Sequence, residues 1–142
     1  MRKLKLFLSI LIIYFVVDVA YQVAYGMNNI RSIYDAAGIS PIMNETPAYL
    51  ATIPLFFVVM AFVLLQVVVE PAIEKRSAGL AFFNGALVGV GSYGTLAVVL
   101  LWQIKGFPVS AGFAILLEGL LFPTIASGAT VWWALRSKPD EQ

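Results

Sequence analysis

The chain has 142 residues, 61% of them hydrophobic and 12% charged, with a net charge of +1 and a mean hydropathy of +0.89. A water-soluble domain carries about 25% charged residues to cover its surface, so this composition excludes one and assigns the chain to a lipid bilayer. With no Cys and no His, disulfides, thiolate ligands and the commonest metal, haem and chlorin ligand are excluded as well.

A hydrocarbon core about 30 Å thick is crossed by about 20 mostly apolar residues in a helix. Four stretches meet that length: about Leu4 to Tyr25, Tyr49 to Val69, Leu80 to Trp102 and Val109 to Leu135. The expected fold is an all-α integral membrane four-helix bundle, a single transmembrane domain over residues 1–142. The first stretch follows Arg2, Lys3 and Lys5 and has the look of a secretory signal. Its apolar run exceeds the roughly 7 to 15 residues of a signal core, and no small-x-small site follows a short run, so it is read as a retained span. Gly26 and Asn28-Asn29 close it.

Residues 28–47 form the outer segment, where Ile30, Ile33, Tyr34 and Ile39 interleave with Arg31 and Asp35. That spacing predicts a short helix lying on the outer surface. The second span holds Pro54 in its first turns, where a missing N–H costs little, and is expected to stop at Glu70-Pro71. The third carries Ala81, Gly85 and Gly89 at intervals of four, a face cleared for close helix approach and expected to pack within the chain. Lys105-Gly106-Phe107-Pro108 turns the chain into the fourth span. Pro123 should kink that span, with Thr124, Ser127 and Thr130 bonding back to helical carbonyls around it. A polar tail occupies 137–142.

Positive residues are retained on the cytoplasmic side. Arg2, Lys3 and Lys5, then Lys75 and Arg76, then Arg136 and Lys138 fall in segments that share a side, against Arg31 and Lys105 on the other. Both termini are therefore expected in the cytoplasm and the protein in the cytoplasmic (inner) membrane. Tyr21, Tyr25, Tyr49 and Trp102 near the outer boundary, and Trp132 and Trp133 near the inner one, agree with this arrangement.

Two acids lie inside spans, Asp18 in the first and Glu118 in the fourth. An ionisable group at bilayer depth costs at least about 2.5 to 3.5 kcal/mol unless satisfied. At a rise of about 1.5 Å per residue, both sit roughly 10 to 13 Å below the outer ends of their spans. Gln22 is one turn from Asp18, and the third span brings Tyr93 and Thr95 to the same depth. A buried polar cluster of Asp18, Gln22, Tyr93, Thr95 and Glu118 is expected. Burial and like charge each disfavour the ionised form of its carboxyls. The cluster is either an interhelical hydrogen-bond clamp or a proton-linked or cation site.

The run Gly85-Ala-Leu-Val-Gly-Val-Gly-Ser-Tyr93-Gly-Thr-Leu-Ala, then Trp102, Gly106-Phe-Pro108 and Glu118-Gly119, resembles a bacterial family of predicted four-helix integral membrane proteins of unknown function. That family typically reads Gly-x-x-x-Gly, Tyr-Asp-Leu-Thr-Asn, a Trp-Pro turn and Asp-x-x-Trp-Gly. Tyr14-Phe-Val-Val-Asp18 is similar to its Phe-x-x-x-Asp opening. The likeness covers nearly the whole chain. Gly94 stands where the family has the Asp of Tyr-Asp-Leu-Thr-Asn, the Asn position is apolar, and the fourth-span Asp appears as Glu118. The resemblance implies the fold and leaves the activity open.

With no soluble domain and no nucleophile-base pair, the sequence offers little to an enzyme, and no cofactor or metal is expected. The first reading is a structural, assembly or accessory partner of other membrane proteins. The alternative is a small proton-linked transporter or carrier, oligomeric because four short helices enclose little volume, using Asp18 and Glu118. Expected partners are the lipid bilayer and either other membrane proteins or further copies of the chain, with no nucleic acid.

Overall fold

The computed structural model describes residues 2–26, 32 and 52–137. Helix α1 runs over Arg2–Tyr21 and continues in wider, five-residue-spaced turns over Gln22–Gly26. Helix α2 comprises Thr52–Leu64, a second wide stretch Leu65–Val69, and Glu70–Glu74. Helices α3 and α4 span Ala78–Gln103 and Val109–Arg136. All four are long and apolar enough to cross a membrane, which makes the chain the expected all-α membrane bundle. The surface helix expected over 28–47 lies, apart from Ser32, outside the described residues, as do the start of the second span at Tyr49 and the tail after Ser137.

Glu70-Pro71 does not end the second span, contrary to the expectation from sequence. A helical proline loses one N–H and its ring collides with the carbonyl four residues back. Here the preceding turn is already widened, with the Glu70 N–H bonded to the Leu65 carbonyl, and such a turn relaxes the register at the point where Pro71 disturbs it. The helix ends instead at Glu74. Arg76 N–H bonds the Ile73 carbonyl at 3.0 Å and Ser77 N–H the Ala72 carbonyl at 2.9 Å, the paired bonds that close a helix around a left-handed residue. Arg76 occupies that position at φ 51°, where glycine is the usual choice. Ser77 then caps α3, its side-chain oxygen accepting from Leu80 N–H at 3.1 Å. The α3–α4 turn uses Gly106 at φ 85°.

Helix α4 is the central element, touching α1 and α2 and packing most extensively on α3. It runs unbroken through Pro123. Lacking an N–H, Pro123 leaves the Gly119 carbonyl without its helical partner. That carbonyl points at α3, where a Cβ on Gly89 would meet it at 1.8 Å. The glycine backbone thus fills the place of the missing donor, in the weak Cα–H···O geometry common between membrane helices. One turn on, Ser127 Oγ donates to the Pro123 carbonyl of its own helix at 2.6 Å and lies 3.0 Å from the Ala81 carbonyl across the interface. Ala81, Gly85 and Gly89 are all buried in this contact, so the small-residue face is used inside the chain.

The half of the bundle near the α1 start buries mainly apolar side chains, Leu6, Ile10, Leu64, Val68, Ala126 and Val131, together with the hydroxyls of Ser127 and Thr130. Ile12, Phe62, Leu87 and Phe113 stand exposed on the outer faces, as lipid requires. Lys3 Nζ lies 2.8 Å from Glu70 Oε1, and Arg2 and Lys5 border a cleft with Trp133 and Ser137. The start of α1, the α2–α3 loop and the end of α4 therefore share one end of the bundle.

Candidate functional site

Tyr14, Asp18 and Gln22 recur at intervals of four on α1, and Tyr21 follows Asp18 by three, so all four side chains lie on one helical face. Tyr14 is 1% exposed. Its hydroxyl meets that of Tyr93 on α3 at 2.5 Å, and its ring stands edge-on to Phe57 and Phe122. Gly119 allows Tyr93 to lie against α4: a Cβ there would fall 2.4 Å from Tyr93 Cβ. This sets Tyr93 against the turn of α4 that carries Glu118.

Gln22 lies one turn beyond Asp18 on the same face. Its Nε2 lies 3.5 Å from Asp18 Oδ1, at the outer limit of a hydrogen bond, and its side chain is near Glu118. Asp18 on α1 and Glu118 on α4 lie in the same region of the bundle. Among the described residues, two buried side-chain polar atoms have no hydrogen-bond partner, Glu118 Oε1 and Tyr21 Oη. Tyr21 packs edge-on against Phe122 at 5.3 Å. The arrangement is two carboxyls and an amide, flanked by three tyrosines, with one carboxyl oxygen and one hydroxyl unpartnered among the described residues.

Of the residues expected in the cluster, Asp18, Gln22, Tyr93 and Glu118 come together and Thr95 does not. Thr95 is exposed and its hydroxyl donates to the Gly91 carbonyl at 2.7 Å. It follows Tyr93 by two residues, about 200° around the helix, so equal depth puts it on the opposite face. Tyr14 and Tyr21 were not among the expected residues. The four-residue spacing through Asp18 and Gln22 is the signal that marks them.

A family described as predicted membrane protein, DUF2177, matches residues 3–132. The chain belongs to this family. The DUF2177 match takes in all four helices and every member of the cluster, in line with the fold that the family resemblance implied; its description gives a membrane protein and no activity. No curated protein and no solved structure matches the chain.

Proposed function

We propose that the protein is a small proton-linked membrane carrier in which Glu118, near Asp18 and Gln22, takes up and releases a proton. The observation that carries this reading is the buried Glu118 Oε1 with no partner among the described residues. A clamp that serves stability alone gains by satisfying each polar atom, since membrane hydrogen bonds contribute only about 0.6 kcal/mol on average. An intramembrane acid left partly unsatisfied is costly and has the open valence that proton exchange needs. Tyr21 Oη, on the Asp18 face of α1, is a second unpartnered atom among the described residues. By the positive-inside rule the end bearing Arg2, Lys3, Lys5, Lys75 and Arg76 faces the cytoplasm, so the cluster lies toward the outer side of an inner membrane. The reading is of an oligomeric carrier and not of an enzyme.

Proteoliposomes loaded with a pH-sensitive dye test it: an imposed potassium diffusion potential should drive proton entry that Asp18→Asn and Glu118→Gln abolish while the bundle stays folded. Unchanged proton entry in both variants removes the carrier reading.

The accessory-subunit reading stands second. It is favoured by a shallow apolar groove between α1 and α2, lined by Leu11, Ile12, Phe15, Pro54, Phe57 and Val58, which suits a partner helix. Against it, the Ala81-Gly85-Gly89 face is occupied by α4 and offers no docking stripe. Mild detergent extraction separates the two readings, because an accessory subunit is recovered with a stoichiometric membrane partner.

A further inference from the structure

A cleft of about 430 Å³ opens between α1 and α4 at the basic end of the bundle, lined by Arg2, Lys5, Leu6, Ser9, Thr130, Trp133, Ala134 and Ser137. Arg2 and Lys5 are three residues apart and Ser9 four further on, so α1 turns a cationic head and then a small polar step along one face. Ser9 and Thr130 hydroxyls close the floor of the cleft at 3.3 Å. Lys3, one position off that face, is held by Glu70. On α4, Trp133 is 61% exposed and Arg136 lies over the Trp132 ring at 4.0 Å, aromatic and cationic groups suited to the level of lipid headgroups. The remaining wall, from Leu6 to Ala134, is apolar.

We infer that this cleft binds an anionic phospholipid, with the phosphate at Arg2 and Lys5 and one acyl chain along Leu6, Ala134 and Trp133. The charge is complementary, and basic pockets between membrane helices are where anionic headgroups lodge. The apolar wall that continues from the cations takes a tethered chain, which a free phosphate lacks. The site is separate from the Asp18 and Glu118 cluster and does not depend on its function.

The test uses the full chain in nanodiscs of phosphatidylcholine doped with phosphatidylglycerol, with bound lipid read by native mass spectrometry. The double variant Arg2→Gln/Lys5→Gln should lose about 30-fold in apparent affinity, roughly fivefold per cation. The charge-matched double variant Lys75→Gln/Arg76→Gln, at the same end but outside the cleft, should lose less than about threefold. Ala134→Phe keeps every charge, fills the apolar wall and should weaken binding comparably to the first variant, which guards against an effect of Arg2 and Lys5 on insertion. Soluble glycerol 3-phosphate should not compete. Equal losses in the two charge variants would show diffuse surface attraction and overturn the inference. So would full binding in Ala134→Phe, competition by glycerol 3-phosphate, or cross-linking from position 134 to a second copy of the chain.

Discussion

Gly89→Ala is the substitution whose cost the structure states most directly. The added Cβ would lie 1.8 Å from the Gly119 carbonyl oxygen, 2.9 Å from the Gly119 carbonyl carbon and 2.9 Å from Pro123 Cγ. The first two are backbone of a buried helix and cannot swing aside. Ordinary contact begins at 3.4 Å, so α3 and α4 must part by about 1.5 Å along the line where they approach most closely. That movement breaks the Gly119 carbonyl contact that stands in for the Pro123 N–H. It also opens gaps around Gly85 and Tyr93, with a destabilisation of about 3 kcal/mol, at the upper end for overpacking. Gly91→Ala is the internal control, since nothing lies within 4 Å of its Cβ, and it should leave stability unchanged within about 0.5 kcal/mol. Gly94→Ala is intermediate, because its neighbour at 3.1 Å is the mobile tip of Leu116. Unfolding of the three variants in bicelles by steric trapping gives the ranking. Gly89→Ala as stable as Gly91→Ala would refute the close approach of α3 and α4.

Tyr14→Phe or Tyr93→Phe each strands the other hydroxyl in a buried site, so each should cost about 1 kcal/mol in the same unfolding assay. The double variant should cost less than the sum, and strict additivity would mean that the two hydroxyls do not interact. Arg76→Gly relieves a left-handed backbone at φ 51° and should stabilise the protein by roughly 0.5 to 1 kcal/mol; a loss of stability would contradict the helix-closing geometry at Glu74. The Lys3–Glu70 pair is 2.8 Å long, but Lys3 is 71% exposed. Lys3→Gln/Glu70→Gln should therefore change stability by under about 1 kcal/mol, and by less in high salt.

The bundle was legible in the sequence because lipid imposes length and apolarity on every span. Residues such as Leu80 to Trp102 and Val109 to Leu135 leave no other solution, and the observed helices match them to within two residues at each end. Pro71 misled because its effect depends on the widened turn at Leu65–Val69, a backbone adjustment with no local sequence mark. In the polar cluster, depth was legible and azimuth was not. Counting residues from the span ends brought Asp18, Gln22, Tyr93 and Glu118 to one level, but it brought Thr95 along with them. A helical-face test through Tyr93 excludes Thr95, and the same test through Asp18 recovers Tyr14 and Tyr21. The use of Gly89 as a substitute donor for Pro123 needs two helices in register, which spacing within either helix does not encode.

Proton exchange at Glu118 within the bundle is the step on which carrier activity would depend. Infrared difference spectroscopy of the protein in lipid, between about pH 5 and about pH 9, should show a protonated-carboxyl band that changes with pH and disappears in Glu118→Gln. A band that stays constant throughout, or one unaffected by Glu118→Gln, would leave the residue as a fixed interhelical clamp and contradict the proposal.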